Sequence, residues 1–172
     1  TGASVEEVTG RGGGLTDAAF LKKKHVIEHA LSLHAPDKND PIDVLSKVGG
    51  FDLCAMTGVF LGAAIEHVPV VVDGFISIVA ALCASRLASH AKAYFIGSHR
   101  SFEIGYRLAE QELGLHPCLE LGMRLGEGSG CPIAFRVVEA ACAVMCTMAT
   151  FPEAAIDDEY LTDIRAKDSF TV

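Results

Sequence analysis

The sequence predicts an α/β fold, a parallel sheet flanked by helices. Three observations carry the fold class. Short β-rich runs, "VPVVVDGF" and "KAYFIG", alternate with longer helical stretches. The first run shows no in–out alternation, as expected of a strand covered by helices on both faces. Each run then ends in a polar or glycine-rich turn: Asp73-Gly74-Phe75, Ser98-His99-Arg100-Ser101 and, after "CLELGMRL", Gly126-Glu127-Gly128-Ser129-Gly130. Open parallel sheets bind ligands beyond the carboxyl ends of their strands, so these turns are expected on one rim.

Taken in order, residues 5 to 14 form an acidic turn leading into "GRGGG". A helix is predicted over residues 16 to 34, with Thr16 or Asp17 as N-cap and Phe20, Val26, Ile27 and Leu31 as its apolar positions. After the loop "APDKNDP", Asp40 should cap a short helix whose first residue is Pro41. "GGFDLCAMTGVFLGAAIEH" reads as a buried helix rich in small residues. The strand ending at Asp73 precedes a helix over residues 75 to 91, and "KAYFIG" is the second strand. A helix over residues 102 to 113, a third strand in "CLELGMRL" and a long helix over residues 132 to 148 complete the pattern. The polar tail from 149 to 172 is expected to pack loosely.

Half of the 172 residues are hydrophobic and 21% are charged, enough for a sizeable core and too apolar for a disordered chain. A net charge of −8 argues against a nucleic-acid binder, which would present a basic face. The six cysteines form no CxxC pair and sit mostly among Ala, Leu, Met and Val, the pattern of buried thiols in a reducing compartment. Cys142 and Cys146, four apart on a helix, could hold a metal, but no histidine lies at matching spacing and no metal site is expected. "ISIVAALCAS" is the most apolar run, and Asp73 and Arg86 bracket it too tightly for a membrane span. A cytoplasmic protein is expected. The chain opens on "TGASVEEVTG" without an initiator methionine, which suggests a fragment.

Glu127 is the candidate with the sharpest alternatives. It is either an exposed acid on a tight turn or a general base shielded from water, with neighbouring N–H groups holding a substrate oxygen. The helix that follows Gly130 would favour an anion, such as a phosphate, at its N-terminal end. "GRGGG", including Gly12, departs from the dinucleotide fingerprint because Leu15 stands where the last glycine belongs. It is a phosphate- or ribose-facing loop or a plain connector. Of Lys22, Lys23 and Lys24, one must point differently from its neighbours on a helix and could neutralise a phosphate. Asp73 could cap the helix beginning at Phe75, or meet a ribose hydroxyl or a cation. Ser98, His99 and Ser101 could cap the next helix, and no acid and nucleophile at recognisable spacing make His99 part of a hydrolase triad.

The blocks "DPIDVLSKVGGFDLCAMTGVFLGAA", "PVVVDGFIS", "SHRSFEIG", "MRLGEGSG" and "VVEAACAVM" together resemble the nicotinate-nucleotide:dimethylbenzimidazole phosphoribosyltransferase family, from about residue 10 to 148. The resemblance implies transfer of a phosphoribosyl group from nicotinate mononucleotide to 5,6-dimethylbenzimidazole. Its products are α-ribazole 5′-phosphate and nicotinate, for the lower ligand of cobalamin. It makes Glu127 the proton acceptor and implies no metal or other cofactor. It places Lys23 near the substrate phosphate, the glycines of "GRGGG", Gly12 included, in the same phosphate region, Asp73, Gly74 and Phe75 at the nucleotide, Ser101 beside them, and Gly126 and Gly128 as backbone contacts. Family members are homodimers of about twice this length, so the resemblance implies that a missing segment precedes Thr1 and carries much of the acceptor pocket. The resemblance also implies a fragment of a larger two-domain enzyme with a Rossmann-like parallel sheet: residues 1–148 would belong to that large domain, and the polar tail 149–172 to a small helical one. The alternative is a non-catalytic nucleotide- or phosphate-binding module. A related transferase acting on another azole or a phenol is the third reading.

Overall fold

The structure is a computed structural model, which describes residues 1–157 and 162. The chain divides into two compact units, Thr1–Phe135 and Arg136–Val172. In the first unit, Ser4 opens a one-turn helix α1 (Val5–Val8) through a reciprocal pair with Glu7, each side chain meeting the other's backbone N–H. Helix α2 (Asp17–His34) starts at Thr16, whose hydroxyl accepts from the Ala19 N–H, and ends at Ala35 in a left-handed conformation. Asp40 caps α3 (Pro41–Val48) by accepting from the N–H groups of Ile42 and Asp43, with proline at the first helical position as anticipated.

Helix α4 (Phe51–Ile65) buries only Thr57 and Phe60, and Phe51 is 96% and Ile65 74% exposed. The expectation of a buried helix therefore fails for this element: only one edge meets the core. Strand β1 (Val70–Val72) and strand β2 (Phe95–Gly97) pair in parallel, Val70 with Phe95, Val71 with Ile96 and Val72 with Gly97. Between them runs α5 (Phe75–Leu87), where Ala80, Ala81 and Ala84 are completely buried and admit α4 and α5 to close approach. Phe60 of α4 meets Phe95 of β2 edge to face at 5.0 Å.

The helix predicted to reach residue 91 stops at Leu87, and Ser89–Tyr94 form a 3₁₀ helix that puts Ala91 into the core. Residues 92 to 94, anticipated as strand, belong to that helix. Helix α6 (Tyr106–Leu113) starts four residues later than predicted, after an irregular segment following Ser101. The third strand is reduced to one parallel bridge between His99 and Leu119. Its extension is blocked on both sides. Pro117 lies so close to Gly97 that a Cβ there would sit 3.0 Å from the proline Cα, and Gly122 turns left-handed at φ +63°. Helix α7 (Cys131–Thr147) follows the glycine loop, one residue offset from its predicted range.

In the second unit, Arg136 and Glu139 pair one helical turn apart, and Thr150 accepts from and donates to Glu153 around a turn. Most of the tail assigned to 149–172 lies outside the described residues. The thiols differ from expectation: Cys54, Cys118, Cys142 and Cys146 are exposed, while Cys83 and Cys131 are half-buried. No helix among the described residues is long and apolar enough to cross a membrane.

Candidate functional site

Strand β1 ends at Val72 and delivers Asp73, nearly buried at 7% exposure, to the carboxyl edge of the sheet. Asp73 does not cap α5, whose N-cap is Gly74 with no side-chain bond. Its carboxylate spans to the glycine loop. Oδ1 accepts from the Gly130 N–H at 2.8 Å, and Oδ2 accepts from the Gly128 N–H at 3.1 Å. Both oxygens are thus committed to backbone amides at the start of α7. The anion that the sequence suggested for this helix end is supplied in part by the protein itself.

The loop has an uncommon backbone. Gly126, Glu127 and Gly128 are successively left-handed, with φ of +73°, +54° and +71°. Two glycines adopt that conformation freely, but Glu127 does so against the clash between its Cβ and the following carbonyl. The Ser129 N–H closes the turn onto the Gly126 carbonyl at 2.9 Å, and the Cys131 N–H onto Gly128 at 3.0 Å. The Glu127 side chain is held at the tip, exposed to solvent. The shielding expected of a general base is therefore absent in this chain: no described element folds over the tip of the loop.

Strand β2 brings the second turn alongside. Ser98 and His99 are completely buried. The Ser98 hydroxyl donates to the Val72 carbonyl at 2.8 Å, and the Ser98 N–H meets the same carbonyl at 3.0 Å. His99 Nδ1 lies 3.0 Å from Ser98 Oγ and 3.7 Å from Asp73 Oδ1. Neither Ser98, His99 nor Ser101 caps α6, whose N-cap is Gly105 without a side-chain bond. Arg100 grips the Glu110 carboxylate with two nitrogens and reaches Glu120, while its N–H donates to the Leu119 carbonyl. That ion pairing raises the guanidinium pKa above its ordinary value and pins the turn to α6 and the 119–120 segment. The three strand-end turns do meet on one rim, through side chains and loop amides rather than a third strand.

The phosphate-side candidates form an adjoining cluster. The Lys23 ammonium donates to the Gly10 carbonyl at 2.8 Å, while Lys24 turns away to Glu6 and the face of Phe20. Gly10 is in turn so close to Glu103 that a Cβ would stand 2.3 Å from its carboxylate. Ser101, buried, accepts from the Glu103 N–H, and the Phe102 N–H bonds the Met123 carbonyl just before the glycine loop. Gly12 is left-handed at φ +56° with open space where a side chain would be. Gly74 packs its backbone against Gly126, whose Cα would lie 3.6 Å from an added Cβ. Phe75 points elsewhere: its ring packs against Gly105 and lines an apolar cavity of about 390 Å³ with Val8, Leu82 and Ala109.

Sequence reasoning passed over Tyr106 and offered His99 only as a helix cap. Tyr106 is fully buried in α6, and burial first, then the Glu110 charge, pushes its phenol above the ordinary range. The Cys131 thiol is raised by burial and by the Asp73 charge. A histidine two residues after a β-rich run was the available signal for a buried ring at the strand end. No group of metal-ligating side chains is assembled among the described residues.

A family profile described as phosphoribosyltransferase matches residues 1–156. A nicotinate-nucleotide–dimethylbenzimidazole phosphoribosyltransferase of Clostridium perfringens is 54% identical over 171 residues. The chain belongs to the nicotinate-nucleotide:dimethylbenzimidazole phosphoribosyltransferase family. That Clostridium relative is matched over 99% of this chain and 47% of its own length. A family member of the same name from a Roseiflexus species is 51% identical, covering 91% of this chain and 44% of the relative. The crystal structure of CobT from Thermus thermophilus superposes with a TM-score of 0.84 at 34% identity, over 91% of this chain and 46% of that one. The chain thus spans about half the length of the relatives it matches.

Proposed function

We propose that this chain acts in transfer of the phosphoribosyl group of nicotinate mononucleotide to 5,6-dimethylbenzimidazole, releasing nicotinate and α-ribazole 5′-phosphate for the lower ligand of cobalamin. The observation that carries this reading is Glu127, held left-handed between two glycines on a loop tied to Asp73. A conformation that costs energy and presents a carboxylate is one the fold keeps for a purpose. The azole must lose its ring proton as its other nitrogen attacks the anomeric carbon. A carboxylate in reach of that N–H supplies about 10² to 10⁴ in rate. The bond to the departing pyridinium is already weak, because its nitrogen carries the positive charge, and attack opposite to it gives the α configuration.

Lys23 and the Gly10–Gly14 loop, Gly12 included, are proposed to face the phosphate. This assignment agrees with Asp73 already holding two amides of the α7 start. Gly74, Phe75, Ser101, Gly126 and Gly128 are proposed around the nucleotide, with Asp73 acting by fixing the loop. Glu127 needs a cover to work in a dry site. We propose that a further segment of a protein about twice this length supplies it, together with much of the azole pocket. The proposed setting is a cytoplasmic homodimer, which agrees with the exposed apolar side chains of α4. Residues 1–148 are proposed as large-domain material and 149–172 as part of a small helical domain.

The test is Glu127→Gln in the protein carrying both halves. Benzimidazole-dependent nicotinate release should fall by about 10² or more, and survival within a few-fold of the parent would remove Glu127 as the base. One observation favours the binding-module reading, namely the open position of Glu127 in this chain. Calorimetry of the 172-residue chain with nicotinate mononucleotide addresses it. Binding by the chain alone supports the module, and absence of binding supports a site completed elsewhere.

A further inference from the structure

We infer that His99 is a positioning residue, which by donating from Nδ1 orients the Asp73 carboxylate and so sets the loop that carries Glu127. The proton assignment follows from the neighbours. Ser98 has one hydroxyl proton, and its oxygen lies 2.8 Å from the Val72 carbonyl oxygen. Two oxygens at that separation repel unless a proton lies between them, so the hydroxyl donates to Val72. Ser98 Oγ is then an acceptor toward His99, and Nδ1, 3.0 Å away, must carry the hydrogen. The same N–H edge faces Asp73 Oδ1 at 3.7 Å, beyond hydrogen-bond length but electrostatically favourable in a site without solvent. His99 Nε2 is buried with no partner among the described residues, so the ring is anchored from one side only.

Packing makes the ring a floor for the loop as well. A Cβ added at Gly130 would stand 2.1 Å from His99 Nδ1 and 2.8 Å from Ser98 Oγ. The backbone of Gly130 therefore lies directly on the imidazole, with its N–H aimed at Asp73 Oδ1. A directed chain results: His99 to Ser98, Ser98 to the end of β1, and the His99 edge to the carboxylate that receives Gly128 and Gly130. Only an Nδ1 donor completes it.

The catalytic consequence rests on Glu127 being the base, but the positioning itself is read without any turnover. Long-range nitrogen–proton correlation spectra of the 172-residue chain should show His99 protonated at Nδ1, and a bare Nδ1 would overturn the inference. Hydrogen exchange gives the second reading. His99→Asn places an amide donor where Nδ1 stood and should keep Gly128 and Gly130 protection within about threefold, whereas His99→Gln places it near Nε2 and should lose about tenfold or more. Equal protection in the two variants refutes the role. In the protein carrying both halves, His99→Gln should lower kcat and leave the KM for nicotinate mononucleotide near its parent value, with His99→Asn rescuing. Should Glu127→Gln retain turnover while the exchange pattern holds, the base assignment fails and the loop-setting role stands.

Discussion

At the scale of single residues, Glu127 sets backbone strain against the role proposed for it. A non-glycine residue in the left-handed region costs about 1 to 2 kcal/mol relative to a conformation it prefers, and here it lies between glycines that bear no such penalty. The carboxylate is exposed and recovers nothing by burial. Glu127→Gly should therefore leave the chain as stable as the parent or more stable by about 1 kcal/mol, measured as the midpoint of urea unfolding. A loss of that size instead would mean that the glutamate contributes contacts to the fold. Which residues mattered was partly visible beforehand: glycines flanking a lone acid advertise an unusual turn. The partners of Asp73 were not, because the amides of Gly128 and Gly130 lie more than fifty positions away in sequence.

Elements differ in how far their own residues specify them. The starts of α2 and α3 were legible because capping is a matter of three or four consecutive residues, Thr16 with Ala19 and Asp40 with Ile42 and Asp43. Asp40→Ala should lower stability by about 1 kcal/mol through the two unsatisfied amides, and Asp40→Asn should restore most of it, both read by chemical denaturation. An unchanged midpoint in the alanine variant would show that Pro41 alone holds the helix start. The third strand was misread for the opposite reason. "CLELGMRL" has suitable side chains, but pairing requires a straight neighbour, and Pro117 crowding Gly97 together with left-handed Gly122 permits one bridge. The break after Leu87 likewise has no proline or glycine to announce it.

Across the whole molecule, apolar side chains are left facing water. On α4 alone Phe51, Val59 and Ile65 are 96%, 61% and 74% exposed, in a chain that is half hydrophobic. Large apolar side chains left in water along one helix mark a surface that normally meets another. The 172-residue chain by itself should bind ANS and self-associate in sedimentation velocity, and both signals should diminish in a protein that carries the other half. A monomeric, ANS-silent chain would argue that these side chains have no partner. Composition could not foresee this, since a buried and an abandoned apolar helix have the same residues; only neighbours distinguish them.

Read alone, the amino-acid order determined the α/β class, the starts of α2, α3 and α5 and the three turns that carry the polar residues, because each depends on local propensity, capping or periodicity. Tertiary structure decided the rest: that the sheet holds two strands among the described residues, that Asp73 grips the glycine loop instead of capping α5, that His99 lies beneath Gly130, and that Glu127 stands in the open. These are distances between residues far apart in the chain, and they are set by packing and by the demand that buried polar groups find partners. A local pattern can nominate such residues, but it carries no information about which of them will touch.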